Sequence, residues 1–387
     1  MHPLVLIAFI LSGFSSLTLE TIWIRYLEHI FGATTLAVST VLTCFMGGLA
    51  LGSWIFGKYA DRLKSPVLAY GVAEGIIGIC AFMIPPIIHN IYPLINSYMT
   101  SHLSNNFLVF SLFRFLVVAI LLVIPTTCMG ATLPLLARHF MRTQGHMKKV
   151  GQRIGILYTL NIVGAFLGVF AATFILLKTI GLFATNATAG IINIALFLAI
   201  FFFRRDLESG VEENSADDEE LEQVLGQEPV EPVETGRLAR LFVVSAFFLS
   251  GLASMNLQVV WNRAMAMVIG SSVYSFALVL IAFLVGLGAG SAVFSKVSKR
   301  VQNPVLILGI VELAIAAAAM VSYAYIDDLP QAFAKMVTAN VEDYENHVGL
   351  IQFMMFLVAS FPVLPVTFGM GAIFPLTIKV VSSSLKS

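Results

Sequence analysis

LSGFSSLTLETIWIR, at Leu11–Arg25, returns 238 residues later as LSGLASMNLQVVWNR, at Leu249–Arg263. The correspondence continues without a gap. Gly32 falls on Gly270, Gly48 and Gly52 on Gly286 and Gly290, Lys58 and Arg62 on Lys296 and Arg300, and Glu74 on Glu312. From Leu11 to Glu74, 23 of 64 positions are identical in that register. Shared Leu, Ala and Gly content would not also lay Trp23 on Trp261, so the chain is a tandem duplication. A later motif agrees, since MGATLPL at Met129–Leu135 reappears as MGAIFPL at Met370–Leu376.

Each copy is built from apolar stretches. The 387-residue chain is 58% hydrophobic and 11% charged, with a mean hydropathy of +0.90, and runs of 18 or more apolar residues recur along it. Such runs cross a hydrocarbon core of ~30 Å as helices, so the lipid bilayer is the first partner expected. Soluble enzymes and nucleic-acid binders are excluded, and no nucleic-acid partner is expected. The expected fold is an all-α polytopic membrane protein of about ten transmembrane helices. Residues 1–205 hold about six spans, near 4–30, 35–57, 66–88, 107–138, 151–177 and 180–203. Residues 237–387 hold about four, near 239–267, 273–295, 304–326 and 348–378. The second copy is expected to lack counterparts of the last two helices of the first, either because it is short or because the natural chain continues past Ser387.

The net charge of zero conceals an asymmetry. Between Asp206 and Glu234 lie 12 of the 22 acidic residues and no Lys or Arg, leaving 22 basic against 10 acidic elsewhere. Residues 206–236 therefore read as an acidic, disordered linker between the copies. Placing the N-terminus inside puts 17 of the 22 Lys and Arg on the cytoplasmic side, including Lys58, Arg62, Arg138, Lys296 and Arg300. That bias orients the chain in a bacterial inner membrane with its N-terminus and linker cytoplasmic.

The remaining signals concern single residues. Ionisable groups inside spans are expensive, so Glu20, Glu74, Arg114 and Glu312 are candidates for contact with a solute or ion. Glu74 and Glu312 occupy the same place in both copies; an internal ion pair or backbone bond is the alternative role. Gly48 with Gly52, Gly164 with Gly168, and Gly286 with Gly290 form GxxxG pairs that let helices pack closely. Trp23 with Arg25, and Trp261 with Arg263, have the spacing of interfacial anchors. Cys44, Cys80 and Cys128 lie in apolar segments without CxxC spacing and read as small hydrophobes. No Walker A, GxGxxG after a strand, HExxH, GxSxG or CxxCH motif occurs, and the seven histidines have no ligand spacing. No cofactor or metal is expected, and no catalytic motif is present.

GSWIFGKYADRLKSP, at Gly52–Pro66, resembles the cytoplasmic loop signature of the major facilitator superfamily. The resemblance makes Asp61, Arg62 and, in the second copy, Arg300 candidates for a cytoplasmic gate, with Asp61 and Arg62 as the pair that breaks and re-forms. Lys299 stands where Asp61 would recur. Residues 12–62, PTTCMGATLPLLARHF at Pro125–Phe140, and VGQRIGILYTLNIVGAFLGVF at Val150–Phe170 together resemble the membrane region of bacterial fused major-facilitator/spermidine-synthase proteins. That resemblance implies tandem six-helix repeats, alternating access about a midplane site, and an association with polyamine-like solutes. It also implies a cytoplasmic aminopropyltransferase-like domain as a partner, but transfers no catalytic residue to this chain. Two further readings stand beside a transporter: a membrane scaffold that holds a membrane or cytoplasmic protein, and the membrane half of an aminopropyltransferase-like enzyme.

Overall fold

The computed structural model describes residues 3–31, 35–103, 106–143, 147–209, 237–270, 273–298, 301–340 and 347–383. Among them, every long element is helical, and ten helical spans are long and apolar enough to cross a membrane. The chain divides into two compact units, Met1–Gln227 and Glu228–Ser387.

In the first unit, α1 runs Pro3–Phe31, α2 Thr35–Tyr59, α3 Pro66–Pro86, α4 Tyr92–Leu103, α5 Phe107–Thr143, α6 Met147–Phe170, α7 Leu177–Thr179 and α8 Gly181–Ser209. A 3-10 turn at Ala60–Arg62 ends α2, and π-helical turns at Ile87–Ile91 and Ala171–Leu176 join α3 to α4 and α6 to α7. Helix α2 packs along α5, α1 along α6, and α3 along α8. Gly181, with φ +78°, supplies the left-handed backbone at the turn into α8. Helix α8 continues through Ser209, beyond the expected span end near 203. Leu207 explains the extension: it is buried in an apolar cluster with Ala60, Val67, Tyr70, Leu136 and Phe140.

In the second unit, α9 runs Arg237–Ile269, α10 Val273–Val297, α11 Pro304–Ala324, α12 Leu329–Asn340 and α13 Val348–Ser383. Helix α13 is the hub, packing on α10, α11, α9 and α12. The most acidic part of the expected linker, residues 210–236, and the gate candidate Arg300 lie outside the described residues.

The duplication is visible in local chemistry. Helix α3 starts with Ser65, whose Oγ accepts from the Leu68 amide at 3.2 Å, followed by Pro66 at the first helical position. Helix α11 starts the same way, with Asn303 Oδ1 accepting from the Leu306 amide at 3.1 Å ahead of Pro304. A capping side chain plus proline fixes both starts, because proline has no amide hydrogen to lose.

The glycine pairs act where helices touch. A methyl group built on Gly48 would collide with the Thr126 side chain, and one on Gly286 with that of Thr367. Gly52 meets the Thr127 carbonyl, and Gly290 the Phe368 carbonyl; Gly130 and Gly371 meet the carbonyls of Leu49 and Leu287. These are equivalent contacts in the two copies, between the second and fourth long helices. Thr126 and Thr367 also donate equivalent hydrogen bonds, to Leu122 O at 2.6 Å and Val363 O at 2.9 Å. In the first unit Gly164 and Gly168 do the same for α6, against the carbonyls of Ile10 and Phe14 on α1. Only glycine allows backbones this close, so the contacts set the helix spacing.

Candidate functional site

A buried polar seam runs through the first unit where α1, α3 and α8 meet. Ser12 Oγ donates to Glu74 Oε1 at 2.5 Å, and Ser15 Oγ donates to Asn193 Oδ1 at 2.5 Å. Higher on α1, Trp23 Nε1 donates to Asn186 Oδ1 at 3.2 Å, while Asn186 Nδ2 donates to Ala81 O at 2.6 Å. Ser12, Ser15, Glu74, Asn186 and Asn193 are all buried. Among the described residues, Glu74 Oε2 and Asn193 Nδ2 have no partner within hydrogen-bond geometry, although the buried Tyr70 side chain neighbours the Glu74 carboxyl. In low dielectric such atoms are held at a penalty.

The second unit repeats half of this arrangement. Ser250 Oγ donates to Glu312 Oε2 at 3.3 Å, at the positions equivalent to Ser12 and Glu74. Glu312 is only half-buried, because no counterpart of α8 covers α11 among the described residues. The two acids matched in sequence are thus each held by a serine from the first helix of their own copy. The sequence signal was present, since Ser12 recurs as Ser250, but only the folded chain brings residues 62 apart into contact.

Glu20 differs from both. It is 0% exposed on α1, and among the described residues neither carboxylate oxygen has a hydrogen-bond partner. Thr18, two residues earlier, donates to Gly168 O at 3.2 Å, which sets this part of α1 beside the end of α6. The π-helical turn Ala171–Leu176 follows, and it carries Thr173, whose buried Oγ1 also has no hydrogen-bond partner. A π turn widens the helix and interrupts its regular bonding, a departure frequent at functional sites. At the equivalent position of the second copy, Gln258 is 1% exposed with both amide atoms unpartnered.

Arg114, half-buried on α5, donates from Nη2 to Asn96 Oδ1 on α4 at 3.1 Å, and its guanidinium lies 4.2 Å from the Phe110 ring centre. It therefore joins α4 to α5. The short helices α4 and α12 were not expected from the sequence.

The structure gives Asp61 and the tryptophans partners that local spacing does not suggest. Arg138 Nε, near the end of α5, lies 2.7 Å from Asp61 Oδ1, while the Arg62 guanidinium stacks 5.3 Å from the Tyr59 ring centre. Successive residues of a 3-10 turn point in different directions, so adjacent charges there do not face one another. The second copy has lysine at both equivalent positions, Lys299 and Lys379, and so has no such pair. The rings of Trp23 and Trp261 are both enclosed, and Trp261 Nε1 donates to Ser322 Oγ at 3.2 Å. An indole in an apolar interior needs a partner for its N–H, which Asn186 and Ser322 supply. Arg25 remains at the surface in an ion pair with Glu28 at 2.9 Å, and Arg263 is exposed.

Taken together, the geometry is that of a multi-pass membrane bundle with buried, half-satisfied carboxyl groups and no cluster of three or more metal-ligating side chains among the described residues. No curated protein matches the chain. The sequence profile of the Major Facilitator Superfamily matches residues 4–387. That match spans both copies of the duplicated unit, and the chain belongs to the major facilitator superfamily.

Proposed function

We propose that the chain is a secondary-transporter-like module for a small organic solute with positive charge, working by alternating access. One observation carries the reading: Glu20 buries a whole carboxyl group with no hydrogen-bond partner for either oxygen among the described residues. A bare carboxylate at such a place is strongly disfavoured, so the group needs a proton or a cationic ligand to complete it. Glu74 and Glu312, each with one oxygen held by serine, are the further candidates for that exchange. The preference for a polyamine-type cation rests on the family resemblance. An orientation with the N-terminus and linker in the cytoplasm of a bacterial inner membrane accompanies it, on the distribution of Lys and Arg.

Uptake of labelled polyamine into proteoliposomes tests the proposal. Accumulation by the wild type and its loss in Glu20→Gln support it. Absence of accumulation across a panel of organic cations, or uptake unchanged in Glu20→Gln, Glu74→Gln and Glu312→Gln, refutes it.

A further inference from the structure

The basic end of α2 carries an exposed band in which rings and cations alternate. Trp54 is 60% exposed and Tyr59 50%. Lys58 Nζ lies 4.3 Å from the Trp54 ring centre, and the Arg62 guanidinium 5.3 Å from that of Tyr59. The pairs are spaced four and three residues apart, so each cation folds back onto the ring one turn before it. Asp61, the acid of this turn, faces Arg138 at 2.7 Å and does not neutralise either cation. Among the described residues, neither Lys58 nor Arg62 makes an ion pair.

The duplication serves as an internal control. The second copy retains both charges, as Lys296 and Arg300, but has Ala292 and Val297 where the first has Trp54 and Tyr59. Orientation in the membrane requires the charges alone, and those are common to both copies. The rings belong to the first copy only and call for another purpose.

The band closes the apolar span Val38–Arg62, and the charged end of such a span belongs where hydrocarbon gives way to headgroups. A ring beneath a cation holds the stem flat without discharging it, leaving N–H donors directed outward. Trp and Tyr are the side chains suited to that depth. One turn deeper, Leu51 is also exposed, which continues the band into an apolar track. A soluble anion has no use for such a track, whereas a phospholipid presents a phosphate and an acyl chain at this spacing. We propose that Lys58 and Arg62 bind the phosphate of an anionic phospholipid, with Trp54 and Tyr59 against its glycerol region and Leu51 against its acyl chain.

The three tryptophans provide the assay. Trp23 and Trp261 are buried, so Trp54 is the one that lipid can reach. The full chain is reconstituted in vesicles of phosphatidylcholine, and tryptophan quenching is titrated with phosphatidylglycerol or phosphatidylcholine bearing brominated acyl chains. Two membrane-surface cations give an expected preference for phosphatidylglycerol of about thirtyfold in relative binding constant. The preference falls to about one in Lys58→Gln/Arg62→Gln and is unchanged in Lys296→Gln. Trp54→Phe removes the quenchable emission and identifies the reporter. Emission from the buried Trp23 and Trp261 shows whether the double variant is folded. Should it not fold, the wild type alone decides: a preference that disappears in about 1 M salt supports a charge-held headgroup. Equal quenching by the two lipids in the wild type, a preference that survives in the folded double variant or in high salt, or no quenching by either lipid overturns the proposal. The last result means that protein covers Trp54.

Discussion

Replacing Ser12 and Ser250 by alanine compares the same bond in two environments. Ser12 Oγ lies 2.5 Å from Glu74 Oε1 in a fully buried seam, so Ser12→Ala strips a carboxyl of a donor where no water replaces it. Ser250 Oγ lies 3.3 Å from Glu312 Oε2, and Glu312 is half-buried, so the bond is longer and its loss is partly made good by the surroundings. Removing the donor from a buried acceptor is expected to destabilise by ~2 kcal/mol at Ser12. At Ser250 the expected loss is ~0.5 kcal/mol, near the average for hydrogen bonds between membrane helices. Equilibrium denaturation by SDS in mixed micelles reads both variants against the wild type. Glu74→Gln supplies an internal check, because its amide oxygen still accepts from Ser12. It should therefore destabilise less than Glu74→Leu. Equal losses in the two serine variants, or a larger loss at Ser250, refute the reasoning that burial and geometry rather than sequence position set the value of the contact.

Gly48→Val and Gly286→Val drive a side chain into Thr126 and Thr367, and each is expected to lower stability by ~1 to 3 kcal/mol, read from the same denaturation curves. Gly57→Ala, where nothing lies within 4 Å, is the control, and is expected to be neutral or stabilising by up to ~1 kcal/mol. Asn186→Leu leaves the Trp23 indole N–H and the Ala81 carbonyl without their partner and is expected to cost about 1 to 3 kcal/mol; the corresponding Ser322→Ala removes one bond only and should cost less. Asp61→Asn is expected to cost no more than about 1 kcal/mol, since its side chain is largely exposed, and Asp61→Arg/Arg138→Asp should restore the wild-type value at low salt.

The sequence exposed the fold through its own repetition. Spans, tandem copies and the GxxxG contacts all follow from apolar runs and from glycines that recur 238 residues apart. What it concealed were contacts whose partners lie far along the chain. The pattern of Trp two residues before Arg reads as an interfacial anchor because local spacing says nothing of Asn186, 163 residues beyond Trp23. Asp61 beside Arg62 reads as a pair for the same reason, whereas Arg138 is supplied by α5 packing on α2. Thr126 and Thr367 were within reach, since each stands three residues ahead of the repeated MGA motif, but their role needed the facing glycine to be seen. The π turn at Ala171–Leu176 carries no glycine or proline to mark it in the sequence.

The glycine contacts between the second and fourth long helices also bear on how the two halves have drifted apart. Every single-codon exit from glycine adds bulk, and at Gly48, Gly52, Gly286 and Gly290 that bulk meets a threonine side chain or a main-chain carbonyl that the facing helix cannot withdraw without moving as a whole. The same lack of room at equivalent positions accounts for the survival of all four glycines in both copies, whatever else has changed around them.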